Sequence, residues 1–240
     1  MLGDDVEQVL QAQLSAGAGR VRGVRYRLAT VDGAIGAVTP DPQRPHLMHE
    51  PEFRRGFARL GPNKMSFDAW IYHTQIEELI ELADLFPDAT IVLNHIGGPI
   101  GVAEYRARHA EVLREWQALL RAAALRPNVH LKVGGMGMAV MGCGLEHLQR
   151  PADSATVAAA WKPFIETAVA AFGTERCMCE SNFPVDQQSC GFVHLWNSFK
   201  LVTRNWLQQE RSDLFYRTAC RVYNLPTLAR VADELSAARS

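Results

Sequence analysis

Imidazoles, amides and carboxylates recur in this chain at the ends of apolar runs. His73 closes MSFDAWIYH, Asn94 and His95 follow TIVL, Lys132 falls late in NVHLKVGG, and Glu180, Ser181 and Asn182 follow RCMC, with Asp186 four residues past Asn182. An imidazole can take and return a proton near neutral pH, a carboxylate can hold one, and an amide can donate a hydrogen bond to an oxygen that is gaining charge. Together such groups can carry out general acid–base chemistry. Arg25 and Arg27 lie two apart in RVRGVRYRLA, so on a strand they share a face. A guanidinium fork suits a substrate carboxylate, and both are candidate binding residues. Lys132 is a further candidate for substrate binding, or for pairing with a carboxylate inside the fold.

These residues matter together only if the fold brings them together. Apolar periodicity alternates between strand and helix along the chain. Val6, Val9, Leu10 and Leu14 form the stripe of an opening helix over Asp5–Leu14, ended by Gly17 and Gly19. Strands are expected at Val21–Leu28, Met65–His73, Thr90–Gly97, Asn128–Gly135 and Arg176–Phe183. Helices are expected near Glu104–Ala124, Ser154–Phe172, His194–Trp206 and Gln209–Tyr223, with a short one after Pro226. Another follows the second strand, where Thr74 and Glu77 have capping-box spacing. Pro163 should bend or split the helix that contains it. The connection from Ala29 to about Lys64 is long and rich in Pro, Gly and His, with a helix opening at Pro51. Strands that are apolar throughout, each followed by an amphipathic helix, predict a parallel sheet covered by helices. In such a sheet all strands end on one rim, which collects His73, His95, Lys132, Glu180 and Asn182.

The composition fits one domain. Of 240 residues, 48% are hydrophobic and 21% charged, with a net charge of -1. That excludes a disordered chain and gives no basic footprint for nucleic acid or an anionic membrane. No apolar run is long enough for a membrane span. Five cysteines, an odd and sparse set, suit a reducing compartment better than a disulfide framework. Acidic residues stand where an export signal would be basic, so a cytoplasmic location is expected. No GxGxxG follows the first strand and no GxxxxGK[ST] occurs, which removes the usual nucleotide fingerprints.

FDAWIYHTQ (67–75), TIVLNHIGGP (90–99), VHLKVGG (129–135) and ESNFPVD (180–186) together resemble, in order and context, the amidohydrolase-2 family. RVRGVRYRLA (20–29) and ACRVYNL (219–225) extend the likeness over nearly the whole chain. The resemblance implies a TIM (β/α)8-type barrel over residues 1–240. It implies hydrolysis of a small lactone or cyclic amide, as in the 2-pyrone-4,6-dicarboxylate lactonases. It places His95 in the site, to orient or activate water. Asn182 stands where the family's last strand carries an Asp, so Asn182 becomes a hydrogen-bond donor, and Asp186 or Glu180 the candidate base. His73 would form a second polar wall.

The family's first-strand HxH pair has no counterpart here; His46 and His49 are spaced differently and fall in the long connection. The expected strands therefore correspond to the family's strands four to eight, an incomplete barrel from an N-terminally truncated sequence. The donor set leaves open one divalent metal ion or none. The expected partner is a small-molecule substrate, and open sheet edges would allow a homo-oligomer. Two other outcomes follow from the same residues: a non-catalytic, partner-binding subunit, or a decarboxylase, since related barrels cleave C–C bonds at a similar site.

Overall fold

Side chains alternate across a strand, so a strand buried on one side by helices and turned on the other to a polar interior must carry two kinds of residue. The computed structural model, which describes residues 3–35 and 45–226, shows that division. Its strands are β1 (Gly23–Arg27), β2 (Ser66–Trp70), β3 (Ile91–Leu93), β4 (Val129–Val133) and β5 (Cys177–Cys179). They form one parallel sheet in chain order, β1-β2-β3-β4-β5. Phe67, Ala69, Ile91, Leu93, Val129, Leu131, Val133 and Cys177 pack into the main apolar core. The register aligns Arg25, Asp68, Val92 and His130 across four strands, and Lys132 with Met178 across β4 and β5. This second face carries the charges.

Helix α1 (Val6–Gly17) precedes the sheet. Each strand is then followed by a helix: α2 (Pro51–Phe57), α3 (Ile76–Leu85), α4 (His109–Ala124), α5 (Ser154–Phe172) and α6 (Phe192–Val202). Chain neighbours α3, α4, α5 and α6 pack side by side. The chain continues through α7 (Gln208–Ser212), a π-turn segment (Asp213–Arg217) and α8 (Thr218–Val222). This is an α/β fold of five successive strand–helix units, an incomplete (β/α)8-type barrel.

The helices end where local chemistry dictates. Pro51 opens α2, where a missing N–H costs nothing. Asp153 caps α5 by accepting from Thr156 N at 2.8 Å. Trp116 of α4 and Trp161 of α5 are fully buried, and truncating either to Ala would cost about 3–5 kcal/mol.

Several details differ from expectation. Every strand is shorter than its apolar run, because the rim residues turn into loops to present side chains. Pro163 does not split α5, which continues from Ser154 to Phe172. Thr74 and Glu77 form no capping box; Gln75 takes that place, its side-chain oxygen accepting from Tyr72 N at 3.3 Å and Thr30 N at 2.9 Å. The expected helix after Pro226 lies outside the described residues. Among the described residues, no helix is long and apolar enough to cross a membrane.

Candidate active site

His95 and Asn182 leave their strand ends with left-handed backbones, φ 52° and 50°. Ile96 follows at φ 51°, a conformation that costs a β-branched residue about 1–3 kcal/mol. The turn is held from three sides. Gly97 N donates to Asn94 O at 3.0 Å, Gly98 N to His95 O at 2.9 Å, and the buried Trp116 Nε1 to Ile96 O at 2.6 Å. Core packing on α4 thus fixes the direction of the His95 ring.

That ring is 1% exposed and fully partnered. Its Nδ1 lies 2.5 Å from Glu180 Oε1, which also accepts from His95 N at 3.2 Å. Its Nε2 lies 2.8 Å from an Arg25 guanidinium nitrogen. A guanidinium can only donate, so Nε2 must accept and the ring proton belongs on Nδ1, toward Glu180. Burial pushes the Glu180 carboxyl up, but His95, Lys132 and Arg25 outweigh it and hold its pKa below the usual value. Glu180 therefore stays ionised and orients the imidazole. Trp70 meets the ring edge-on at 4.7 Å between centroids.

A second cluster surrounds Asp68. Lys132 Nζ donates to its Oδ2 at 2.6 Å, and the Tyr223 hydroxyl lies 3.0 and 2.9 Å from its two oxygens. Burial, then Asp68, push the Tyr223 hydroxyl pKa far up, so Tyr223 is the donor. Asn94 links the clusters. In the orientation that satisfies both neighbours, its nitrogen donates to Asp68 Oδ2 at 3.3 Å and its oxygen accepts from Arg25 Nε at 3.2 Å. Beside this network opens a cleft of about 720 Å³, lined in part by Arg22, Arg25, Ser66, Asp68, Lys132 and Tyr223.

Asn182 donates from Nδ2 to Asp186 Oδ1 at 2.7 Å, and Gly137 N donates to Asp186 Oδ2 at 3.2 Å. Burial dominates these bonds and raises the Asp186 carboxyl to about 7. The GGMG segment after β4 is the bed for all three groups. A Cβ on Gly134 would fall 2.4 Å from Glu180 Cγ, one on Gly135 2.7 Å from His95 Cβ, and one on Gly137 2.8 Å from Asp186 Cγ. Residues 134–137 are buried because they carry the site from beneath.

The structure thus gathers His95, Glu180, Arg25 and Lys132 on one network, with Asn182 and Asp186 beside it. Arg27 is exposed, paired in register with Trp70. His73 lies elsewhere: fully buried, edge-on to Tyr105 at 5.8 Å, with neither ring nitrogen partnered among the described residues. Burial lowers its pKa to about 4, which favours the neutral ring. Asp68 and Tyr223 were not singled out from sequence. Asp68 had a signal, a carboxylate in the middle of an apolar strand; Tyr223 is 155 residues from its partner. A metal ion at this rim would need converging free donors. Both His95 nitrogens are engaged and Glu180 faces Arg25 and Lys132, so the described residues here do not form a metal site.

A parallel sheet with an oriented imidazole at the C-terminal rim defines a barrel-type α/β enzyme scaffold. The chain belongs to the amidohydrolase family, whose Amidohydro_2 signature matches residues 1–225. It is 34% identical over 182 residues to the uncharacterised protein y4mH of Sinorhizobium fredii (strain NBRC 101917 / NGR234), covering 75% of this chain and 54% of that protein. The chain therefore spans about half the length of this curated relative. Among solved structures, it resembles an amidohydrolase from Burkholderia multivorans with bound HEPES (24% identity, TM-score 0.71, 90% of this chain and 70% of that one). It also resembles a putative 2-pyrone-4,6-dicarboxylic acid hydrolase from Pseudomonas putida (20% identity, TM-score 0.59, 92% and 68%). These likenesses are of fold.

Proposed function

We propose that these residues serve the hydrolysis of a small lactone or cyclic amide that carries a carboxylate. The observation behind this is the His95 ring held between Glu180 and Arg25. A substrate carboxylate is a better partner for a guanidinium than an imidazole lone pair. Substrate binding would draw Arg25 away and free Nε2. Nε2 then takes a proton from water as the water oxygen attacks the carbonyl, while Glu180 holds the Nδ1 proton and balances the charge that the ring acquires. The protonated ring returns its proton to the leaving oxygen or nitrogen as the ring bond breaks. Asn182 offers its second amide hydrogen to the substrate or water, and Asp186 positions it. Lys132, held by Asp68, adds positive potential to the carboxylate-binding wall.

The test is turnover of carboxylated lactones by the chain and by His95→Ala. Loss of about 10²–10⁴ in kcat/KM supports the assignment. Undiminished turnover in His95→Ala removes it. Carbon dioxide release from the same substrates would reassign the site to C–C cleavage, and absence of turnover with every substrate would favour a binding subunit.

A further inference from the structure

Away from the rim, two pairs of residues with the same spacing face each other. His46 and His49 stand three apart at the start of the short segment before α2, and Glu78 and Glu81 three apart on α3. His46 Nδ1 lies 2.9 Å from Glu78 Oε1, and His49 Nε2 lies 3.2 Å from Glu81 Oε2. The two imidazoles are near-parallel, 15° between planes and 6.1 Å between centroids. One ligand atom each from His46, His49 and Glu78 falls within 4.8 Å of the others.

Glu78 makes this more than two surface ion pairs. It is 7% exposed, and its second oxygen is buried with no hydrogen-bond partner among the described residues. A buried carboxylate oxygen without a donor is costly, and a cation is the partner that would relieve it. Beside Glu78 and His46 runs an open cleft lined also by Asp32, Thr74, Gln75 and Tyr105, with room for water to complete a coordination shell.

We propose that His46, His49 and Glu78 form a site for a divalent ion of the zinc type, distinct from the rim. Two imidazoles and a carboxylate are the donor set that zinc favours over the oxygen-seeking magnesium and calcium. Ligand atoms around a tetrahedral zinc lie about 3.4 Å apart, given bonds near 2.0–2.1 Å, so the three groups must draw inward. His46 and His49, with side chains 70% and 43% exposed, are free to rotate to do so. Glu81 is placed to bind the ion or to hold His49. The bound ion would join the connection after β1 to α3, adding to the His46–Glu78 hydrogen bond and the Arg54–Glu81 ion pair that already tie them.

Zinc content after equilibrium dialysis of the chelator-stripped protein tests this, with cobalt absorption in the visible as a second readout. Wild type and His95→Ala should each retain one zinc equivalent. The double variant His46→Ala/His49→Ala should lose it, and Glu78→Gln should weaken binding at least tenfold. The two histidines are exposed, so the double variant should keep its fold, checked by circular dichroism. The proposal is overturned if wild type takes up no zinc at micromolar free ion, or if its single equivalent survives in the double variant and in Glu78→Gln. Loss in His95→Ala alone would place the metal at the rim and equally overturn it.

Discussion

The Arg25 guanidinium lies on the His95 Nε2 lone pair at 2.8 Å, so the protein's own cation covers the atom that must accept a proton. A base capped in this way is released only when something binds the cap more strongly. Substrate recognition and base activation are then one event.

Arg25→Ala should therefore separate two substrate classes. For carboxylated lactones kcat/KM should fall about 10- to 150-fold, as expected from loss of a charge-assisted pair of about 1.5–3 kcal/mol. For neutral lactones it should hold or rise, because Nε2 is uncovered. An equal fall for both classes would show that Arg25 does not recognise a carboxylate.

Asp186 links site and stability through pH. Its folded pKa, near 7, exceeds the unfolded value of about 3.9. Between these values the folded state holds a proton that the unfolded state has lost, so this group's contribution to stability falls as pH rises from about 4 to 7. Urea denaturation at pH 5 and pH 8 should show that fall in wild type and a smaller one in Asp186→Asn. The kcat/KM profile of wild type should carry an ionisation near 7 that the variant lacks.

Gly135 should not tolerate a side chain. Its φ is +74°, and an added Cβ would lie 2.7 Å from His95 Cβ. Gly135→Ala should cost about 1–3 kcal/mol in stability and lower activity more than an equally destabilising change elsewhere, because His95 must move. Melting temperature and turnover, measured against a core variant matched in stability, check this.

Lys132 and Asp68 are half of a charge-balanced network, with side chains 17% and 9% exposed. Lys132→Met leaves a nearly buried carboxylate held by Tyr223 and Asn94, at a cost of about 3–5 kcal/mol. Adding Asp68→Asn should recover part of that loss. Additive losses in the double variant would mean the pair is not coupled.

The strand–helix alternation was legible because every strand side that meets a helix is apolar, and α5 was placed from Ser154 to Phe172 as observed. The gathering of His95, Lys132 and Glu180 at one rim followed from parallel strand direction. The parts that were not legible depend on contacts that sequence spacing does not record. Tyr223 reaches Asp68 from another element, and the glycine loop gains its role only from the three side chains above it. His73 showed the reverse: a rim position by count, but turned into a buried apolar layer with Tyr105. The spacing of His46 and His49 argued only against a first-strand pair, since their facing carboxylates become visible when α3 packs beside them.

Strand order that equals chain order has a consequence for how the protein forms. Each unit can dock on the one made just before it, so assembly can keep pace with synthesis and most of the sheet needs no distant segment. The Tyr223–Asp68 bond does need a distant segment: it joins residues 155 apart, and it can close only after all five units are laid down. That hydroxyl completes the Asp68 cluster on the polar wall, so the wall is assembled last, after the scaffold that carries it.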